Sequence, residues 1–298
     1  MPSMPDSMSW RLWWQGIRPN TLGMSLVPVF LGTALALHQG ARFDLLSFLL
    51  AVGCVLCIQA GTNLYNDLGD GEKGSDGPER LGPQRLLGSG LATPVQVRRA
   101  ARLCFGWALM GGLLLVWQHG LSILLIGLCS LAAGWAYSRG PVPLSHTRFG
   151  EACVLLFFGL VAVAGSHFLQ AGHVSVPALL YGLVPGLHSA AVLMVNNWRD
   201  RHNDCRAGRR TLAGSLDERA ALRLYALLLL LPFGLLGGMA VWLQWPALAG
   251  WPMLLLPAVP WLLWQFRHRQ GRALNLQLKQ TAQLQMGLCA LQLLALLA

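Results

Sequence analysis

Two short stretches of the chain place asparagine and aspartate residues at helical spacing. In the first stretch, Asn63, Asn66, Asp67 and Asp70 are spaced three and four residues apart. Residues at these intervals lie on one face of a helix. The pattern therefore predicts a helix end that directs several hard oxygen donors to one side.

The second stretch repeats this arrangement much further along the chain. Here Asn197, Asp200 and Asp204 share a face in the same way. Each stretch directly follows a long apolar segment. A solvated, charge-balanced turn is the alternative for either stretch taken alone. The repetition of residue types, spacing and location favours a binding site instead.

Carboxylates held close together repel one another unless a cation lies between them. Mg²⁺ takes oxygen ligands, usually one or two carboxylates with water and substrate phosphates completing the shell. Two such clusters could hold one diphosphate through shared Mg²⁺ ions. The predicted ligands are Asp67, Asp70, Asp200 and Asp204. Basic residues that could bind phosphate oxygens directly are Lys73, Arg139, Arg148, Arg209 and Arg210.

Long apolar segments position both clusters. The 298 residues are 54% hydrophobic and 11% charged, whereas soluble domains are about a quarter charged. The excess of apolar side chains must face lipid, and a span needs about 20 apolar residues. Nine spans are predicted, roughly at residues 21–38, 44–65, 101–117, 120–137, 150–171, 175–197, 220–241, 246–266 and 283–298.

The distribution of Lys and Arg predicts the orientation of these spans. With the N-terminus in the cytoplasm and nine spans, 21 of the 22 Lys and Arg lie on the cytoplasmic side, and only Arg42 lies outside. This asymmetry is typical of inner-membrane proteins. It places both acidic clusters near the cytoplasmic face and the C-terminus outside. It also accounts for the net charge of +10. The sequence has no basic stripe outside the loops, so it gives no indication of nucleic-acid binding.

The two acidic stretches resemble the motifs of the UbiA superfamily of intramembrane prenyltransferases. Within it, they are most similar to the enzymes that act on 1,4-dihydroxy-2-naphthoate. The first motif of the family is matched by Asn66-Asp67, Asp70, Lys73-Gly74-Ser75-Asp76 and Arg80-Leu81-Gly82-Pro83. The second is matched by Asn196-Asn197-Trp198-Arg199-Asp200, Asp204 and Arg210-Thr211-Leu212-Ala213. Weaker matches are Arg18-Pro19-Asn20-Thr21-Leu22 and Tyr137-Ser138-Arg139-Gly140-Pro141.

The resemblance implies an all-α bundle of nine membrane helices, formed by residues 1–298 as a single domain, with a cytoplasmic-side cap of Asp-rich loops. It implies Mg²⁺-dependent transfer of a polyprenyl group from a prenyl diphosphate to a small aromatic acceptor, with loss of CO₂ from a dihydroxynaphthoate. Asp70, Asp200, Asp204 and Tyr137 would then be catalytic. Arg18, Asn63 and Asn66 would join the basic residues above in binding substrate.

Some positions depart from the family pattern or allow a second interpretation. Many members place a third Asp where this chain has Gly74, and Asp76 is predicted to replace it as a metal ligand. Tyr137 also fits a plain interfacial aromatic residue. Glu151 is the only acid in the fifth predicted span, and Arg148 is its predicted ion-pair partner.

Other functions stay open at the level of the sequence. The same fold could use another acceptor, such as 4-hydroxybenzoate, homogentisate, haem or a natural-product phenol. A membrane transporter or lipid carrier would share the polar helix ends. Transporters usually carry ionisable groups near the middle of the membrane and an internal repeat, and neither is evident. The sequence carries no signal for an oligomeric state.

Overall fold

All regular structure in the described part of the chain is helical. The computed structural model describes residues 10–72, 81–83, 85–139 and 142–297. The α-helices are α1 (Trp10–Ile17), α2 (Pro19–His38), α3 (Leu45–Glu72), α4 (Pro94–His119), α5 (Leu121–Arg139), α6 (Gly150–Leu155), α7 (Ala162–Ala171), α8 (Val176–Arg206), α9 (Glu218–Trp242), α10 (Ala247–Met253), α11 (Ala258–His268) and α12 (Leu274–Leu297). The predicted all-α class is confirmed.

Within the described residues, seven helical segments are long and apolar enough to cross a membrane. Helices α10 and α11, which are bent by 43° at a short break, make an eighth if they form one span. These eight correspond to the first eight predicted spans, and the protein is a multi-pass membrane protein. The seven unbroken segments are Thr21–His38, Leu45–Gly71, Pro94–His119, Leu121–Ser138, Gly150–Ala171, Val176–Arg206 and Glu218–Trp242.

The ninth predicted span corresponds to α12, which has 24 residues but is interrupted by glutamines. Gln277 and Gln285 are buried. The Gln277 amide donates to the Tyr225 hydroxyl at 3.0 Å, and the Gln285 amide donates to the Ser189 hydroxyl at 2.9 Å. These glutamines hydrogen-bond neighbouring helices rather than face lipid. The predicted count of nine spans is therefore not confirmed by the described residues.

Helices α3 and α8 are longer than a membrane span. They have 28 and 31 residues, which at 1.5 Å per residue is about 42 and 46 Å. The hydrocarbon core of a bilayer is about 30 Å thick. Both acidic clusters lie in the last turns of these helices and continue them, rather than forming separate loops after the spans. Residues 73–80 lie outside the described part of the chain, so the cap of loops stays a prediction.

The span that contains α6 and α7 crosses α8 at very short range. A π-helical segment, Leu156–Val161, joins α6 to α7. A Cβ atom added to Gly159 would lie 2.4 Å from the Gly182 carbonyl oxygen, and one added to Gly186 would lie 2.6 Å from the Leu155 carbonyl oxygen. No larger residue fits, because the two backbones are in contact. This crossing holds α6 firmly against the helix that carries the second cluster.

Candidate active site

Both acidic clusters line one cavity of about 1210 Å³. One part of its wall is polar and contains carboxylate, amide and guanidinium groups from the ends of α3 and α8. The remainder is mostly apolar and is contributed by several spans. Apolar wall residues include Val55, Ile58, Val116, Ile126, Phe157 and Phe158.

Asp70 is the point where the two clusters meet. Its carboxylate is buried and forms ion pairs with Arg85 and Arg209. The Arg209 guanidinium also pairs with Asp204 at 3.2 Å. One cation thus lies between an acid of α3 and an acid of α8, and it offsets the repulsion between them.

Asp67 lies beside Asp70 on α3 but has different partners. It is buried, and its two carboxylate oxygens accept hydrogen bonds from the backbone amides of Leu86 and Leu87, at 2.9 and 3.3 Å. Arg85 donates to the Asn66 carbonyl oxygen at 2.9 Å. The turn that begins at Arg85 is therefore attached to the end of α3, and Asp67 supplies most of the attachment.

Asn63 makes a similar structural connection one turn earlier. Its amide group donates to the Ile17 carbonyl oxygen at 2.8 Å and to the Thr21 hydroxyl at 2.9 Å. These bonds fix the junction between α1 and α2, where Arg18 adopts a left-handed backbone conformation with φ of 56°. Arg18 and Asn63 both line the cavity.

The second cluster is organised by Arg199, which is 4% exposed. Its Nε donates to Asp200 at 2.8 Å, and its guanidinium also donates to Asn196 at 2.9 Å and to Asn275 of α12 at 2.7 Å. All of these partners are side chains, and Asn275 in turn donates to the Leu81 carbonyl oxygen at 2.8 Å. This arrangement also ties α12 to the polar end of the cavity.

The remaining predicted site residues are distributed unevenly. Tyr137 and Asn66 line the cavity. Arg148 and Arg210 are exposed and are not among the residues that line it. Lys73 and Asp76 lie outside the described residues, and so does the side chain of Arg139.

Several cavity residues were not assigned roles from the sequence. Arg85, Arg199, Asn275 and Lys279 all line the cavity wall. Arg199 had a local signal, because it lies between the amides and acids of the second cluster. Arg85 had a signal only through the family resemblance, since Gln84-Arg85 and Ser89-Gly90 are similar to the loop of the naphthoate-type enzymes. Lys279 had none, since its position depends on how distant helices pack.

Spans that enclose a large apolar cavity with acidic, amide and guanidinium groups at one end define a multi-pass membrane protein with a candidate site inside the helix bundle. Residues 25–284 match the UbiA prenyltransferase family, and the chain belongs to this family. It is therefore a prenyltransferase. The predicted resemblance is confirmed, and the transporter alternative is set aside.

Curated relatives carry more specific names. The chain is 37% identical over 263 residues to a 1,4-dihydroxy-2-naphthoate octaprenyltransferase of Escherichia coli, covering 86% of this chain and 84% of the relative. It is 34% identical over 213 residues to the protein of the same name in Bacillus subtilis, covering 72% and 68%. It is 30% identical over 254 residues to UbiA prenyltransferase domain-containing protein 1 of Xenopus tropicalis, covering 84% and 72%.

Solved structures share the fold over nearly the whole chain. A UbiA homolog from Archaeoglobus fulgidus bound to DMAPP and Mg²⁺ has a TM-score of 0.68 at 15% identity, covering 96% of this chain and 99% of that one. A UbiA homolog from Aeropyrum pernix K1 has a TM-score of 0.67 at 15% identity, covering 94% and 98%. At these identities the likeness concerns the fold.

Proposed function

We propose that this prenyltransferase moves a polyprenyl group from a prenyl diphosphate to 1,4-dihydroxy-2-naphthoate, with Mg²⁺ as cofactor and with loss of CO₂. The observation that carries the proposal is the single cavity that joins a charged end to a long apolar wall. A prenyl diphosphate has the same two parts, an anionic head and an apolar tail.

The identity of the acceptor rests on the relatives. Proteins named as 1,4-dihydroxy-2-naphthoate octaprenyltransferases are 37% and 34% identical to this chain over most of its length. Other hydroxylated aromatic acceptors, including 4-hydroxybenzoate and homogentisate, are alternatives within the same fold. The identity of the acceptor is therefore the first property to determine by experiment.

The donor set of the cavity fits Mg²⁺. Asp67, Asp70, Asp200 and Asp204 line the polar end together with Asn66 and Asn203, so the donors available there are oxygens. No three acidic, His or Cys side chains form a complete metal site within the described residues. Mg²⁺ does not require one, because substrate phosphates and water complete its shell. The Arg209 guanidinium lies between the Asp70 and Asp204 carboxylates. This pairing supports the view that the two carboxylates together attract cations.

The side chains that line the cavity suggest separate roles in the reaction. Asp70, Asp200 and Asp204 would hold Mg²⁺, which when bound neutralises charge on the diphosphate leaving group. Arg85 and Arg209 would donate to phosphate oxygens. The apolar wall would exclude water from the allylic cation. The prenyl C–O bond breaks and its electron pair leaves with diphosphate, a C–C bond forms to a carbon of the electron-rich ring, and the carboxylate leaves as CO₂.

The location and topology are also part of the proposal. We place the N-terminus and the polar end of the cavity on the cytoplasmic side of a bacterial inner membrane, with residues 1–298 acting as one domain. The asymmetry of Lys and Arg supports this orientation. Reporter fusions that place residues 198–206 on the periplasmic side would contradict it.

Reconstituted protein should be offered labelled prenyl diphosphates and several acceptors, with mass spectrometry of the products. We expect a prenylated product from 1,4-dihydroxy-2-naphthoate that is lighter than the simple substitution product by the mass of CO₂. Faster turnover with 4-hydroxybenzoate or homogentisate would assign the protein to another acceptor. A product that keeps the carboxylate would contradict the decarboxylation.

A further inference from the structure

Glu151 is an acid that the proposed reaction does not use. It lies in the first turn of α6 and is 5% exposed. No other Asp or Glu occurs between Glu79 and Asp200. Arg148, its predicted partner, forms no ion pair with it among the described residues and is exposed instead. A buried acid at this depth in a membrane protein needs a physical explanation.

The carboxyl group of Glu151 has one hydrogen-bond partner. Its Oε1 accepts from the amide nitrogen of Asn197 at 2.9 Å, and its Oε2 has no partner among the described side chains and backbone groups. Burying a carboxyl group with an unsatisfied oxygen is costly. The close glycine crossing between this span and α8 holds the group in place, so the cost is built into the packing.

The bond to Glu151 determines which atom Asn197 presents to the cavity. A side-chain amide has donors on its nitrogen and an acceptor only on its oxygen. Because the nitrogen faces Glu151, the oxygen remains for the cavity, which Asn197 lines. No residue in the described ranges donates to that oxygen, and it is not enclosed by protein.

The position of Asn197 limits what the oxygen can meet. Asn197 precedes Asp200 by three residues on α8, which is about 4.5 Å along the helix towards the apolar part of the span. The oxygen therefore lies between the charged end, where the diphosphate would bind, and the apolar wall. An aromatic ring that attacks the first prenyl carbon must occupy this zone.

The chemistry of the two substrates indicates the ligand. An ionised diphosphate and a prenyl chain carry no hydrogen-bond donor, whereas a hydroxylated aromatic ring does. We propose that Glu151 is a positioning residue that fixes the Asn197 amide so that its oxygen accepts a hydrogen bond from a hydroxyl group of the aromatic acceptor. This inference rests on the proposed function, because it requires a hydroxylated acceptor.

Three variants test the geometry. Glu151→Ala removes the bond to Asn197 and should raise the acceptor KM on the order of tenfold, since a lost hydrogen bond is worth roughly this factor. The KM for prenyl diphosphate and the Mg²⁺ requirement should not change. Glu151→Gln keeps an oxygen that accepts from Asn197, so its acceptor KM should stay near the wild-type value. Asn197→Ala should raise the acceptor KM by the same factor as Glu151→Ala. It replaces Glu151→Ala in the test if the Glu151→Ala protein does not accumulate in the membrane.

Asp44→Ala is the matched control for loss of an acid. Asp44 bonds the Ser47 hydroxyl at 2.7 Å at the opposite end of α3 and does not line the cavity. This variant should lose stability and keep both KM values. Acceptor analogues in which one hydroxyl is methylated add a second comparison. One of them should bind wild-type protein about tenfold more weakly and show no further loss with Glu151→Ala.

The outcomes separate this inference from the proposed function. If wild-type protein uses no hydroxylated aromatic acceptor, the proposed function fails and the inference fails with it. If wild-type protein uses one, an unchanged acceptor KM in Glu151→Ala overturns the inference alone. It is equally overturned if Glu151→Gln is as impaired as Glu151→Ala, or if the change appears in the prenyl diphosphate KM or the Mg²⁺ requirement.

Discussion

The ends of α3 and α8 carry similar sequence patterns and are held in different ways. At the end of α3, Asp67 bonds backbone amides of a later turn, and Asn63 bonds the α1–α2 junction. At the end of α8, the partners of the Asp200 and Asp204 carboxylates within the described ranges are arginine side chains. The acids and amides of α3 thus anchor the backbone of neighbouring segments, whereas the acids of the α8 cluster contact arginine side chains.

This difference shows that equal spacing does not imply equal roles. Substitutions at the α8 cluster should change chemistry and leave the fold intact. At the α3 cluster, the two kinds of effect should divide between neighbours, with Asp67 acting mainly on stability and Asp70 mainly on turnover. Asp70 is the shared member, because Arg209 connects it to Asp204.

Removal of Mg²⁺ should have the largest effect, because both clusters are proposed to act through the same ion. Excess chelator should abolish turnover, and added Mg²⁺ should restore it. The measurement is product formation by purified protein in detergent. Full turnover in metal-free buffer with excess chelator would refute the shared-metal role and leave the two ends of the helices unrelated in function.

Asp70→Ala, Asp200→Ala and Asp204→Ala should each reduce turnover by orders of magnitude while the protein still inserts in the membrane. A group that stabilises a leaving group contributes several kcal/mol to the barrier, and each ~1.4 kcal/mol is about tenfold in rate. An acid that only balances exposed charge contributes about 1 kcal/mol or less. Turnover per folded molecule is the quantity to compare, and near-normal rates in all three would return both clusters to a charge-balancing role.

Asp67→Ala should mainly destabilise the protein. It leaves two backbone amides without acceptors, each at a cost of about 1–3 kcal/mol. The midpoint of thermal unfolding in detergent should fall clearly, whereas Asp204→Ala, its matched control on α8, should shift it less, because Arg209 keeps its ion pair with Asp70. Equal shifts in the two variants would remove the structural distinction between the two helix ends.

Asp67→Asn sharpens the same test. The asparagine oxygen keeps one acceptor for the amides of Leu86 and Leu87, so about half of the lost stability should return. If stability is fully restored and activity stays low, Asp67 is a metal ligand as well as a structural residue.

The smallest contrast concerns two adjacent arginines. Arg209 lies between the clusters, and Arg210 is exposed outside the cavity wall. Arg209→Ala should reduce turnover by tenfold or more, because it removes a charged hydrogen-bond donor worth about 1.5–3 kcal/mol. Arg210→Ala, the control, should change it by about twofold or less, as expected for an exposed charge. A larger loss of turnover in Arg210→Ala would support the sequence prediction that Arg210 binds phosphate oxygens.

Local features of the site follow from the sequence. The three- and four-residue spacing of Asn63, Asn66, Asp67 and Asp70 places them on one helix face, and the structure has them on α3. Apolar length predicts eight of the spans found here, because a bilayer requires about 20 residues regardless of sequence detail. Apolar length did not decide α12, since its glutamines are bonded by neighbouring helices and such bonds are visible only in the tertiary structure.

Partnerships between distant residues were decided by tertiary structure alone. Six arginines lie between residues 199 and 219, and only the packing of α8 against α3 brings Arg209 to Asp70. The predicted pair of Glu151 with Arg148 was wrong, because α6 packs on α8 and Glu151 bonds Asn197 there, whereas Arg148 is exposed. Periodicity fixes the side of a helix on which a residue lies. The residue it meets there depends on how the helices cross, which no local pattern specifies.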